Sequence, residues 1–348
     1  MTYGYQGGDP ARQHRHRLDL SGCVNRYGPP QSVLTKLEKI RGEEIRNHPY
    51  EAVDQVRKAY CSLVTDTFLS SNELLVGRGT SEFIARLPFV FKKKSVKILF
   101  PFYTDFVKVM ETNDADYGVL YPTGAGKYPK FNAIKAALEA GNPVIISNPC
   151  NPSGEYLSRD FIEELACLAE SNDSTLVVDE SYIEFSNRTR STLGVKSSGL
   201  VVLQSTAKFY GLGATRVGVL WTRNDALREA FGRGQPSWPV SGLDAMLAEV
   251  GLRDSDFKSE SVKKMSRDVK RLKMFFLDKG IGISGESVTN FVLITGDDAE
   301  RVINGARRSN IAVRAFATAH RFGKAAARVA APRDDEFDIF RDSMNCVL

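Results

Sequence analysis

The chain has 348 residues, of which 42% are hydrophobic and 26% charged, and its formal net charge is +5. This length and composition are typical of a globular protein with two hydrophobic cores, or with one large domain and a smaller one. No basic stripe interleaved with aromatic residues, no apolar segment of membrane-spanning length and no secretory signal is present, so we expect neither a nucleic-acid nor a membrane partner.

Short apolar runs alternate with helical segments in the first two thirds of the chain. The runs of strand length are Leu74–Val76, Val96–Phe100, Val144–Ser147, Thr175–Val178 and Leu200–Leu203. Continuous apolar runs of this kind suit strands that are covered on both faces. Between Val144–Ser147 and Thr175–Val178, the apolar residues of Ser158–Ser171 fall on one helical face, and Ser158 is a suitable N-cap. The order strand, helix, strand predicts an α/β fold with a mostly parallel sheet.

After Gly234–Pro236 the pattern changes to long helices and shorter apolar runs. Helices are predicted at Leu243–Leu252, Lys258–Asp278 and Asp298–Arg308, and short strands at Phe291–Ile294, Ile311–Arg314 and Ala327–Ala330. This order predicts a smaller α+β domain to which the N-terminal residues return. We therefore expect an N-terminal arm at residues 1–47, a large domain at residues 48–235 and a small domain at residues 236–348.

The cysteines and histidines are too scattered to form a catalytic or metal centre. Five cysteines lie far apart without a CxxC pair, and three of the four histidines lie near the N-terminus. This distribution argues against disulfides, structural zinc and any other metal site. A reducing cytoplasm is the simplest location for such a chain.

Polar residues follow the predicted strands where ligands bind in open parallel sheets. Gly79, Thr80 and Ser81 begin a helix after Leu74–Val76, and free N–H groups there favour an anion. The rigid turn NPCNPSG, with Asn151 at its centre, follows Val144–Ser147. The alternative is an ordinary turn without a binding role. Asp179 and Tyr182 follow the next run, and Ser205, Lys208 and Arg216 follow Leu200–Leu203.

Together these residues meet the chemical requirements of one cofactor, pyridoxal 5′-phosphate. The cofactor needs a phosphate site, an aspartate for the pyridine nitrogen, polar groups for the phenolic oxygen and a lysine for the aldehyde. The lysine would form a Schiff base, and a lowered pKa would let it also act as a base. The alternative for Lys208 is a solvated loop lysine.

The same residues, in this order, resemble the class I/II aminotransferases, which are fold-type I pyridoxal-phosphate enzymes. The resemblance runs from Leu18 to Arg328 and is strongest to histidinol-phosphate aminotransferases and threonine-phosphate decarboxylases. It implies that Lys208 is the Schiff-base lysine and catalytic base and that Asp179 pairs with the pyridine nitrogen. It further implies that Asn151 and Tyr182 bind the phenolic oxygen. The phosphate would be held by Thr80, Ser81, Ser205 and Arg216.

The resemblance also implies residues around the ring and the substrate. Tyr103 would stack on the ring, with a core aromatic as the alternative. Arg328 would bind the substrate carboxylate, and Arg314 would bind a second anionic group unless it is a surface arginine at a strand end. Asn25 would line the substrate side. Family members are homodimers with active sites at the interface, so a homodimer is implied.

Three departures from the family pattern affect these expectations. The asparagine turn contains Cys150 and Ser153, which leave Asn151 in place. A tyrosine that usually reaches the partner's phosphate is replaced in the segment Asn47–Pro49 by His48. Either His48 replaces that hydrogen bond or the contact is lost. The decarboxylases have a phosphate-binding His-Gly-Gly-Asn segment, whereas this chain has Gln6–Asp9, and an aspartate there would repel a phosphorylated substrate.

These features leave the reaction open at the level of the sequence. Transamination of a small amino acid is the first expectation. Decarboxylation at the α-carbon is the second, because Gln235–Ser241 and the region of Arg314 and Arg328 most resemble the decarboxylases. A lyase, a cyclase or a carbon–carbon bond-forming enzyme that uses the same quinonoid intermediate is the third.

Overall fold

The computed structural model describes residues 16–64, 68–121, 130–316, 322 and 325–348. The strands are β1 (Leu18–Asp19), β2 (Leu74–Arg78), β3 (Val96–Leu99), β4 (Tyr117–Leu120), β5 (Val144–Ser147), β6 (Leu176–Asp179), β7 (Leu200–Ser205), β8 (Val217–Trp221), β9 (Phe291–Thr295), β10 (Ile311–Ala312), β11 (Arg314–Phe316) and β12 (Ala326–Ala330). The helices are α1 (Gln31–Glu38), α2 (Gly42–Arg46), α3 (Ala52–Leu63), α4 (Thr80–Val90), α5 (Thr104–Thr112), α6 (Lys130–Glu139), α7 (Arg159–Ser171), α8 (Asp225–Gly232), α9 (Gly242–Arg253), α10 (Ser255–Asp278), α11 (Asp297–Arg308) and α12 (Asp334–Asn345).

A seven-stranded sheet, in the order β2-β8-β7-β6-β5-β3-β4, forms the centre of the fold. Strands β3 to β7 run parallel to one another, whereas β8 runs antiparallel to its two neighbours, β2 and β7. The predicted α/β fold with a mostly parallel sheet is therefore confirmed. Strands β4 and β8 were not predicted, and β8 is the reason that the sheet is mixed.

Both faces of the central strands are buried, as their continuous apolar runs predict. Ile145 and Val177 belong to the hydrophobic cluster on one face, and Ile146 and Val178 belong to the cluster on the other. All four side chains are at most 1% exposed. Burial of each aliphatic side chain stabilises the folded protein by roughly 1.5–3 kcal/mol, so this packing holds the central strands in place.

Helix α7 covers one face of the sheet and confirms the predicted helical pattern. The Ser158 hydroxyl accepts a hydrogen bond of 3.3 Å from the Phe161 N–H, as expected of an N-cap. Ile162 and Leu165 are fully buried in the same cluster as Ile146. The crossover between β5 and β6 is thus held by its own apolar face.

A second group of strands lies towards the C-terminus. Strands β9, β12 and β11 form an antiparallel sheet, and β1 pairs in parallel with β10. Leu18 and Leu20 pack in the cluster formed by β9, β12 and helices α10 to α12, so the N-terminal segment returns to this region. Helix α9, by contrast, packs against α1 and α3 next to the large sheet.

Candidate active site

A polar cavity of about 390 Å³ lies beyond the carboxyl ends of β5, β6 and β7. The predicted site residues that line it are Thr80, Ser81, Tyr103, Asn151, Asp179, Tyr182, Ser205, Lys208, Arg216, Arg314 and Arg328. The parallel strands bring most of these together because their carboxyl ends meet at one edge of the sheet. The short strands β11 and β12 add the two arginines from the C-terminal region.

One end of the cavity is shaped to hold an anion. Helix α4 begins at Thr80, so its first N–H groups and the positive end of its dipole face this end of the cavity. The Arg216 guanidinium lies beside them, with Nη2 at 3.4 Å from the Ser81 hydroxyl oxygen. Gly79 has a φ of +69°, and a Cβ there would lie 3.0 Å from Arg216 Nη2. A glycine is therefore required where the backbone, the arginine and an anion converge.

Asp179 is the last residue of β6 and is 6% exposed. Burial raises the pKa of its carboxyl group, while two hydrogen bonds from Ser181 and the charge of Lys208 lower it. The Ser181 hydroxyl and the Ser181 N–H donate to the same oxygen, Oδ1, at 2.6 and 3.0 Å. Among the described residues Oδ2 has no hydrogen-bond donor, so this oxygen is available to a protonated ligand nitrogen.

Lys208 lies in the turn after β7 and contributes its amine to the cavity. Burial lowers the pKa of this amine. The neighbouring Cys23 and Asp179 oppose this lowering, whereas the positive charges of Arg328 and Arg216 add to it. A lysine with a lowered pKa is a better nucleophile and base near neutral pH than a solvated one. The structure therefore contradicts the alternative of an ordinary solvated loop lysine.

Asn151 and Arg328 are hydrogen-bonded to each other. Arg328 Nη1 donates to Asn151 Oδ1 at 2.6 Å, and Arg328 Nη2 donates to the Ser21 carbonyl oxygen at 3.0 Å. With Oδ1 occupied, the Asn151 amide can offer its N–H donors to an oxygen in the cavity. Arg328 is 7% exposed, and its Nε has no partner among the described residues. A buried guanidinium that lines a cavity is suited to an anionic ligand.

The remaining predicted residues take defined positions. The Tyr103 hydroxyl donates to Asp105 Oδ2 at 2.6 Å, which fixes its ring at the cavity wall. Tyr182 is 5% exposed, and burial raises the pKa of its phenol well above the usual value. Arg314 lies directly opposite Arg328 in the β11–β12 pair. Two arginines therefore line one side of the cavity.

Asn25 is not brought to the cavity. Its side chain is 2% exposed, and its Oδ1 accepts a hydrogen bond of 2.9 Å from the Tyr27 N–H. Its backbone N–H donates to the Lys208 carbonyl oxygen at 2.8 Å. The residue therefore supports the lysine turn from behind the wall. The segment Gln6–Asp9, in which we expected an effect on phosphate binding, lies outside the described residues.

Several cavity residues were not predicted. Gly22, Cys23 and Val24 come from the N-terminal arm, Phe102, Thr104 and Asp105 flank Tyr103, and Ser181, Ala207 and Phe316 complete the lining. Ser181 follows Asp179 by two residues, the spacing at which a serine often bonds a local carboxylate, so that signal was present in the sequence. Nothing in the local pattern marks Cys23.

A second cavity, of about 280 Å³, lies on the other side of the asparagine turn. Cys150 lines this cavity together with Leu157 and Phe161, and the predicted site residues do not.

Across residues 16–64, 68–121, 130–316, 322 and 325–348, no cluster of three or more His, Cys, Asp or Glu side chains is arranged to hold a metal ion. In the same ranges no helix has both the length and the apolar composition of a membrane span.

The residues of the polar cavity fit pyridoxal 5′-phosphate. The glycine-lined helix terminus with Arg216 suits the phosphate, and the open Oδ2 of Asp179 suits a protonated ring nitrogen. The Lys208 amine suits the aldehyde. The fold and this donor set together define a fold-type I pyridoxal-phosphate enzyme.

Comparison with known proteins identifies the family. Residues 15–336 match the family described as aminotransferase class I and II, so the chain belongs to that family. A histidinol-phosphate aminotransferase of Clostridium novyi (strain NT) is 27% identical over 320 residues, which cover 88% of this chain and 85% of the relative. The expected family, the pyridoxal-phosphate cofactor and the identification as an aminotransferase are thereby confirmed.

Solved structures of the same fold agree with this assignment. The histidinol-phosphate aminotransferase from Clostridium acetobutylicum has a TM-score of 0.82 at 22% identity, covering 95% of this chain and 98% of the other. The enzyme of the same name from Sinorhizobium meliloti, in complex with pyridoxal-5′-phosphate, has a TM-score of 0.82 at 18% identity, covering 100% and 96%. At these identities the likeness establishes the fold.

Proposed function

We propose that this pyridoxal-phosphate-dependent aminotransferase acts at the α-carbon of a small amino acid and uses the residues of the polar cavity in defined roles. The observation that carries the proposal is that Lys208, Asp179 and Arg328 line one cavity with the anion-binding terminus of α4. When bound, the cofactor supplies an electron sink for negative charge at the α-carbon of the substrate.

The cofactor would be held by residues at the ends of five strands, β2, β3, β5, β6 and β7, and by Arg216, which directly precedes β8. Thr80, Ser81, Ser205 and Arg216 hold the phosphate, and Asp179 holds the protonated ring nitrogen through Oδ2. Asn151 and Tyr182 hold the phenolic oxygen, and Tyr103 lies against the ring. The supporting contacts are the Ser181 hydrogen bonds to Asp179 and the Arg328 hydrogen bond that orients the Asn151 amide.

Lys208 carries the cofactor and moves the proton at the α-carbon. Its lowered pKa allows the amine to be neutral, which a base must be before it takes a proton. Because the amine lines the same cavity as Arg328, a substrate whose carboxylate is bound by that arginine is brought to the lysine. The arginine thus positions the α-carbon, and the lysine acts on it.

The substrate is an amino acid or related amine that also carries an anionic group. Arg328 offers its guanidinium to the carboxylate, and Arg314 lies opposite it for a second anion. The name of the Clostridium novyi relative makes histidinol phosphate one candidate, with the phosphate as the anionic group.

A panel of amines tests the reaction. The purified holoenzyme would be mixed with amino acids and histidinol phosphate, its visible spectrum recorded and the products identified by mass spectrometry. Formation of pyridoxamine 5′-phosphate together with the corresponding carbonyl compound is the expected result. An amine with carbon dioxide would instead identify a decarboxylase. Lys208→Ala should bind the cofactor but lose the absorbance of the lysine-linked form, and persistence of that absorbance would contradict the role of Lys208.

We further propose a homodimer. Leu37, Ile45, Tyr50 and Phe68 are each more than half exposed on helices α1 to α3 and the segment that follows. Such a concentration of exposed apolar side chains favours a protein interface. His48, which stacks on Trp238 at 4.3 Å, lies in the same region and would contact the partner's phosphate. Sedimentation tests this proposal, because Ile45→Asp should produce monomers if the surface is the interface.

The domain organisation and location follow as proposals from the same observations. We place the arm at residues 1–47, the large domain at residues 48–235 and the small domain at residues 236–348, with α9 packed onto the large domain. The location is the cytoplasm, which the five free cysteines support.

A further inference from the structure

Cys23 occupies a position in the cavity to which the proposed chemistry assigns no role. It is 3% exposed and lines the same cavity as Lys208 and Arg328. The charged and titratable groups that face its thiol are Arg328 on β12, Lys208 after β7, Tyr182 after β6 and Arg314 on β11. The thiol therefore adjoins the groups that would bind the carboxylate, the amine and the phenolic oxygen.

The backbone around Cys23 is fixed from both sides of the cavity. The Asn25 N–H donates to the Lys208 carbonyl oxygen at 2.8 Å, and Arg328 Nη2 donates to the Ser21 carbonyl oxygen at 3.0 Å. Asn290 Nδ2 donates to the Cys23 carbonyl oxygen at 3.4 Å. Residues 21–25 therefore connect the Arg328 guanidinium with the backbone of the turn that carries Lys208. These three bonds fix the backbone from which the Cys23 side chain projects.

The proposed function, on which this inference rests, fixes the path of the substrate past Cys23. The carboxylate goes to the Arg328 guanidinium and the amine goes to Lys208, and both residues line the cavity. The α-carbon lies between its own carboxylate and amine, and Cys23 lines the cavity that Arg328 and Lys208 also line, so the α-carbon passes this side chain. We propose that the Cys23 side chain is the wall of the substrate subsite between Arg328 and Lys208, where it limits the size of the group on the α-carbon.

The chemistry of the thiol agrees with a neutral wall. Burial raises the pKa of Cys23, and although Arg328, Lys208 and Tyr182 oppose this shift, the balance remains upward. The side chain is therefore a compact, weakly polar group near neutral pH. It offers no charge to compete with the substrate carboxylate for Arg328.

Protection from alkylation tests the position of Cys23 without any turnover. Iodoacetamide would be added to the holoenzyme at mildly alkaline pH, where the sulfur displaces iodide, forms an S–C bond and releases its proton to the buffer. Succinate, a dicarboxylate without an amine, serves as the probe. At ten times its dissociation constant, measured by calorimetry, succinate should slow the labelling of Cys23 about tenfold by mass action. Peptide mass spectrometry would follow the exposed Cys167 and Cys346 in the same sample, and their labelling should not change.

Each other outcome of this experiment overturns the inference. A Cys23 that is never labelled does not line an accessible cavity, and one that is labelled equally with and without succinate does not adjoin the carboxylate site. Failure of succinate to bind would contradict the role of Arg328. Failure of the proposed function is distinguished from all three because it would appear in the amine panel, as an amine with carbon dioxide or as the absence of a coloured holoenzyme, and not in the labelling of Cys23.

Substitutions test the effect on specificity. Cys23→Ala should raise kcat/KM for an amino acid with one additional methylene, relative to the best substrate, by about tenfold, which is the low end of what one methylene is worth in a fitted pocket. The change should lie mainly in KM, because a wall contacts ground state and transition state alike. Cys23→Ser preserves the size and should leave the ratio near that of the unaltered protein. Cys61→Ala, on α3, is the matched control. An unchanged ratio in Cys23→Ala would overturn the inference.

Discussion

Replacing Ser181 with alanine should raise the pKa of Asp179 and, with it, the pH at which the protein loses affinity for the cofactor ring. The Ser181 hydroxyl donates a hydrogen bond of 2.6 Å to Asp179 Oδ1, and the Ser181 N–H donates a second one of 3.0 Å. Alanine removes the first bond and keeps the second. Because burial already raises the pKa of this carboxyl group, the loss acts in the same direction.

The size of the shift follows from the strength of one charged hydrogen bond. A hydrogen bond to a charged group contributes about 1.5–3 kcal/mol. Its loss should destabilise the ionised carboxylate by a comparable amount and therefore raise the pKa of Asp179 further. Asp179 is 6% exposed, so solvent does little to screen the effect. The ionised carboxylate binds the ring nitrogen, so affinity is present above the pKa and is lost as the pH falls through it. The substitution therefore moves that loss to higher pH.

Binding of pyridoxamine 5′-phosphate to the apoprotein is the appropriate assay, because its amine cannot form a bond with Lys208. The dissociation constant would be measured between about pH 4 and 9 for the unaltered protein and the variant. Ser158→Ala serves as the control: it should lose about 1 kcal/mol of stability through its N-cap and keep the original pH dependence. The affinity of Ser181→Ala for pyridoxamine 5′-phosphate could instead fall at the same acidic pH as that of the unaltered protein. In that case the ionisation of Asp179 does not govern cofactor binding, and the assignment of its Oδ2 is wrong.

Three further substitutions have defined outcomes. Arg328→Lys should lower kcat/KM by about 10- to 100-fold, because an ammonium cannot keep the hydrogen bonds to Asn151 and Ser21 while also binding a carboxylate. An unchanged kcat/KM would contradict the role of Arg328 in substrate binding. Gly79→Ala should weaken binding of inorganic phosphate and cost about 1–2 kcal/mol of stability, since φ is +69° and the new Cβ meets Arg216; equal phosphate affinity by calorimetry would contradict the anion site. Tyr27→Phe removes the 2.7 Å hydrogen bond to the buried Asp268 and should lower the free energy of unfolding in urea by about 1–3 kcal/mol, and no change would show that water replaces the bond.

The sequence predicted the central sheet well because its strands are buried on both faces and therefore read as continuous apolar runs. Val144–Ser147 was predicted with its exact bounds, and Leu176–Asp179 and Leu200–Ser205 differ from prediction by one or two residues at their ends. Strand β8 was not predicted, although all five of its residues are buried like those of its neighbours, and its antiparallel direction depends on the path of the preceding turn. The segment predicted as one strand at Ile311–Arg314 is divided at Val313 into β10 and β11, which pair with different partners.

The site was predicted where function demands a residue type at a strand end, and it was not predicted where residues meet through tertiary packing. Asp179 and Lys208 follow buried strands, so their convergence was foreseeable. The bond between Asn151 and Arg328 joins residues that are 177 positions apart in the chain, and local sequence carries no sign of it. Asn25 was expected at the substrate side, but its position is set by the backbone bond to Lys208, which only the folded arm reveals.

The backbone hydrogen bond between Asn25 and Lys208 and the pairing of β1 with β10 have a consequence for the synthesis of the protein. Leu18 pairs with Ile311, and Arg328 lies further still along the chain, so the substrate side of the cavity joins the first and last parts of the polypeptide to emerge from the ribosome. The phosphate cradle, Asp179 and Lys208 are synthesised well before Arg314 and Arg328. At roughly 5–20 residues per second, the interval between Lys208 and Arg328 is about 6–24 s. A nascent chain can thus acquire its cofactor cradle before it can recognise a substrate, and contacts this distant in sequence should form late in folding.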